Sequence, residues 1–94
     1  MSEDINPYSP DDIELEQTCG SCPEQYEAFY KGKRVGYLRL RHGTFRVDYP
    51  DCGGDTLFTA TPEGDGSFRA DERDGYLMLA KLAIIERMKR DNNE

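Results

Sequence analysis

Hydrophobic and polar positions alternate most regularly between Gly36 and Tyr49. Leu38, Leu40, Phe45 and Val47 interleave with Arg39, Arg41, Thr44 and Arg46, the period-two signature of half-buried strands. Between the two arms lies His42-Gly43, where a two-residue type I′ loop needs positive φ at both central positions. That turn predicts Leu40 opposite Phe45 and Leu38 opposite Val47 on an apolar face. On the other face it sets Arg39 across from Arg46. Like charges directly opposed in a ladder are destabilising, so the pattern calls for an anion beside them, internal or bound.

The same alternation extends outward. Gln25–Tyr30 reads as a first strand closed by a Lys31-Gly32-Lys33 turn, Arg34–Arg41 as a second and Thr44–Tyr49 as a third. Thr56–Thr61 reads as a fourth, set off by the breakers of residues 50–55 and by Pro62 with Gly64-Asp65-Gly66. From Asp71 the period changes to that of a helix. Asp71 with Asp74 approximates a capping box, and acids gather in the first turn while Arg87, Lys89 and Arg90 gather in the last. Tyr76, Leu77, Leu79, Ala80, Ala83, Ile84 and Met88 form the face expected to cover the sheet. A second stripe, Met78, Leu82 and Ile85, lies away from it and is read as a self-association surface. The expected fold is α+β, a four-stranded antiparallel meander with one C-terminal helix on one face.

Ninety-four residues suffice for a single small core. The net charge of −7 is unevenly spread. Residues 1–17 carry six acids and no base, and read as a flexible acidic arm preceding one domain over residues 18–94. Setting those six aside leaves 13 acids against 12 Lys and Arg. Residues 31–46 then stand out as purely basic, with Lys31, Lys33, Arg34, Arg39, Arg41 and Arg46, and residues 47–75 as acidic. No apolar run is long enough to span a bilayer, and no secretory leader is expected. Three cysteines make no disulfide framework, which fits a cytoplasmic setting.

Candidate chemistry is sparse. Cys19-Gly20-Ser21-Cys22 is a lone CxxC, and Cys19, Cys22 and His42 would enter from one end of the meander, so a small zinc module is one reading. Cys52 belongs to the opposite end. It has no base within reach, no phosphate-binding loop or nucleophile motif occurs, and no catalysis is expected. Arg39, Arg41 and Arg46, with Tyr37 beside them and Arg34 extending the zone, combine fork-shaped donors with an aromatic plate suited to a nucleotide or nucleic-acid phosphate. The competing expectation is that Glu24, Glu27, Asp48 or the acidic arm neutralises these arginines. Which face of the first strand lies beside them depends on whether its turn has two residues or three.

Cys22-Pro-Glu-Gln-Tyr26, Gly36-Tyr-Leu-Arg-Leu-Arg-His-Gly43 and Asp71-Glu-Arg-Asp74 resemble segments of small uncharacterised proteins of phages and related mobile elements, over about residues 19–86. The resemblance implies action by binding to host or defence components and carries no biochemical activity. The sequence thus supports a non-enzymatic, cofactor-free binding protein, homo-oligomeric, with an anionic ligand on the arginine face. The alternatives are an acidic inhibitor module that mimics nucleic acid towards a basic protein partner, and the zinc module.

Overall fold

The computed structural model describes residues 9–20, 24–64 and 66–92. A single 3-10 turn, Pro10–Asp12, leads into five strands: β1 (Ile13–Gly20), β2 (Glu24–Tyr30), β3 (Lys33–Arg41), β4 (Thr44–Tyr49) and β5 (Asp55–Ala60). Helix α1 (Ala70–Asn92) closes the chain. The strands form one antiparallel sheet in sequence order, a meander. No described helix is long and apolar enough to cross a membrane.

The sheet has five strands rather than four, because residues 13–20 pair with β2 along their length. Ile13 and Leu15 alternate with Glu14 and Glu16, so this stretch satisfies the half-buried strand pattern despite its acids. Ile13 is buried in the core.

Two tight turns set the registers. His42 and Gly43 both have positive φ, at 54° and 77°, and Lys31 and Gly32 repeat the arrangement at 50° and 82°. Both are two-residue loops of the primed type, whose twist matches that of the flanking strands. Across β3 and β4, Leu40 faces Phe45, Leu38 faces Val47 and Arg39 faces Arg46. The two-residue turn at Lys31-Gly32 pairs Tyr30 with Lys33, and an irregularity after Ala28 then sets Gln25 opposite Arg39.

One sheet face is apolar and lies under α1. Tyr26, Ala28, Leu38, Leu40, Phe45 and Val47 from the strands meet Ala80, Ile84, Ile85 and Met88 from the helix. Phe45 is central, edge-on to Phe68 at 5.0 Å, Tyr76 at 6.1 Å and Phe58 at 6.2 Å. The helix approaches β3 so closely at Gly36 that an added Cβ would come within 2.6 Å of Ile84 Cδ1.

The helix begins one residue earlier than Asp71, and its cap differs from expectation. Glu72, third in the helix, accepts from the backbone N–H of Arg69 at 2.9 Å, the return arm of a capping box. The same carboxylate accepts from the amides of Glu63 and Gly64, tying the β5–α1 connection to the helix start. Asp71 is exposed.

The second apolar stripe is also redrawn. Ile85 is buried in the core, whereas Leu79, expected to face the sheet, is 44% exposed beside Met78 and Leu82. The segment around Pro10–Asp12 packs against α1.

Candidate anion-binding site

Arg39, Arg41 and Arg46 project from the sheet face opposite α1, because they alternate with the buried Leu38, Leu40, Phe45 and Val47. Together with His42 and Thr44 they line an open groove of about 400 Å³ at the β3–β4 turn. No acid lines it. His42 enters the groove because the turn that needs its positive φ also ends the two arginine strands. Thr44 follows from the pairing Arg41–Thr44. Sequence reasoning weighed His42 only as a metal ligand and passed over Thr44, although the hairpin register already set both beside the arginines.

The flanking carboxylates divide among the arginines unequally. Arg46 Nε lies 3.2 Å from Asp48 Oδ1 but off the line of a hydrogen bond, so this buried nitrogen has no aligned acceptor. Asp48 itself is 1% exposed. Its remaining capacity goes to the Thr56 hydroxyl at 3.1 Å and the Gly53 amide at 3.2 Å. Asp48 therefore anchors the β4–β5 loop and screens Arg46 in part.

Arg39 is flanked by Gln25 on β2 and Arg46 on β4. Among the described residues neither Arg39 nor Arg41 forms an ion pair. Gln25 accepts instead from the Tyr37 hydroxyl at 2.6 Å, which holds that ring against the outer sheet face one residue pair along from Arg39. Burial pushes the pKa of the Tyr37 hydroxyl up, against the opposing pull of Arg39 and Arg46. Its side chain thus senses the positive field of the groove without lining it.

Arg34 is not part of this cluster. Its guanidinium bridges Glu27 at 3.2 Å and Asp51 at 3.1 Å, and these partners raise its pKa. Glu27 is thereby used, and Glu24 points the other way. Glu24 is fully buried on the helix side, where it accepts from Arg73 Nε at 2.8 Å, the Phe68 amide at 2.7 Å, the Ser67 hydroxyl at 3.3 Å and the Tyr26 hydroxyl. Burial pushes its carboxyl up, but these hydrogen bonds outweigh burial and hold it below the ordinary carboxylate value.

No protein-family model, curated protein or solved structure matches this chain.

Of the metal candidates, Cys22 lies outside the described residues. Cys19 sits on β1 and His42 beyond the end of β3, two strands away, which is about 10 Å in the direction of pairing. Among the described residues no three His, Cys, Asp or Glu side chains converge as a metal site. Cys52 is exposed in the β4–β5 loop, at the end of β4 remote from His42.

Proposed function

We propose that this protein is a non-enzymatic binder of phosphate-bearing anions, nucleotides or nucleic-acid strands, using the groove of Arg39, Arg41 and Arg46. The carrying observation is that, among the described residues, three guanidinium groups share one open groove that no acid lines, and two of them have no carboxylate partner. Each guanidinium presents a planar fork that matches two phosphate oxygens at once. Arg39 and Arg46, held opposite each other by the ladder, can grip one phosphate from two sides and thereby cancel their mutual repulsion. His42 and Thr44 add donors at the rim, and Tyr37 offers a ring edge on the same face.

The test is fluorescence anisotropy with a labelled single-stranded oligonucleotide, with nucleotides and inorganic phosphate as competitors. Arg39→Ala with Arg46→Ala is expected to weaken binding by at least tenfold, with the circular dichroism spectrum unchanged. For three phosphate contacts on a single strand, the slope of log K against log salt should be about −2. Unchanged affinity in the double variant refutes the reading, and so does its unfolding, which would make the arginines structural.

A further inference from the structure

Helix α1 keeps one apolar stripe away from the sheet: Met78 is 41% exposed, Leu79 44% and Leu82 45%. Gly75 continues the stripe towards the N-terminus, and nothing lies within 4 Å of where its Cβ would be. Beside it, Asp71, Glu72, Gly75, Tyr76 and Leu79 line an open apolar groove of about 490 Å³. A knob from another surface can enter at Gly75 because no side chain stands there. The charges that bracket the stripe are opposite in sign, with Asp71 exposed at one end and Arg90 at the other.

We infer that this face is a self-association surface on which a second copy of the chain lays its own α1 antiparallel, about a two-fold axis between Leu79 and Leu82. In an isologous contact each residue meets its counterpart twice. With the axis there, Leu79 faces Leu82 of the second copy and Leu82 faces its Leu79. Asp71 then lies opposite Arg90 of the second copy at both ends of the contact, and Gly75 lies opposite Glu86, where the missing side chain leaves room for close approach. The charges select this register. A slip of one turn in one direction opposes Asp71 to Glu86, like to like. A slip in the other direction sets Leu79 against Glu86, an apolar side chain against a charge. Antiparallel packing also sets each helix's negative C-terminal end against the other's positive N-terminal end.

From Asp71 to Arg90 the contact runs about 28 Å at 1.5 Å per residue, one helix wide. That is smaller than a standard stable interface, so the dimer forms in the micromolar range and dissociates on dilution. Both arginine grooves stay on the outer sheet faces, turned away from the contact.

Sedimentation velocity of the full chain from about 5 to 500 μM tests this. Wild type is expected to pass from monomer to dimer across the range, and Leu82→Glu to remain monomeric with its circular dichroism unchanged. Asp71→Arg and Arg90→Glu each weaken the dimer about fivefold, as for reversal of exposed pairs, and the two together restore it. Wild type that stays monomeric throughout, a dimer that survives Leu82→Glu, or single swaps that weaken without rescue in the double swap would each overturn the proposal.

Discussion

Replacing Glu24 by Gln should cost this domain a large share of its stability. Glu24 is the buried knot between β2, the β5–α1 connection and the helix, and every group around it is a donor: Arg73, Tyr26, Ser67 and the Phe68 amide. Gln keeps the shape but removes the charge and turns one acceptor into a donor that faces those donors. Breaking a buried ion pair from one side costs about 3–5 kcal/mol. The Arg73 side chain is 35% exposed and can recover part of its solvation by turning to water, so the lower end, about 3 kcal/mol, is expected. A domain of this length carries on the order of 9 kcal/mol in total. The loss corresponds to a fall in Tm of about 15 °C, read by thermal and urea unfolding at pH 7. The pH dependence separates charge from shape. Because the folded-state pKa of Glu24 is lowered from 4.5, its contribution is complete above the ordinary value and lost as pH falls through the lowered one. Wild type and Glu24→Gln should therefore converge in stability as pH falls below the ordinary carboxylate value. A variant melting within a few degrees of wild type at pH 7, or a gap unchanged by acid, would sink this account.

At alkaline pH the partner hydroxyl takes over. Burial, then the hydrogen bond to Glu24, pushes Tyr26 up to about 12, so its contribution is complete below pH 10 and is lost as pH rises through about 12. Tyr26→Phe should flatten that limb of stability against pH in urea titrations, and an unchanged slope above pH 10 would count against the assignment. Gly36→Ala drives a methyl into Ile84 and should cost about 1–3 kcal/mol. Adding Ile84→Val, which removes the atom struck, should recover part of that loss, whereas equal melting of wild type and Gly36→Ala would mean the helix yields freely.

Much of this architecture is local and was legible. The β3–β4 hairpin follows from alternation plus a His-Gly pair able to adopt positive φ, and its register brought Arg39 opposite Arg46 without any tertiary information. Strand β1 was harder to read. Its Ile-Glu-Leu-Glu alternation has the correct period, but the surrounding acids and prolines resemble a solvated tail, and what makes it a strand is the open edge of β2 and the burial of Ile13. The helix cap moved for a similar reason. Asp71 and Asp74 fit the local pattern, whereas Glu72 gains three amides, two of them from the distant Glu63-Gly64 turn.

The arginine face marks the boundary most clearly. Residue order alone determined that three arginines share one surface and that two oppose each other, because a strand has period two and a two-residue turn sets its register. Which carboxylates reach them was a tertiary decision. It depended on the Lys31-Gly32 turn and the irregularity after Ala28, which put Gln25 rather than an acid beside Arg39, and on Arg73, which holds Glu24 on the far side of the sheet. Charge pairing depends on distances of a few ångströms between residues far apart in sequence, and only the packed chain sets those distances.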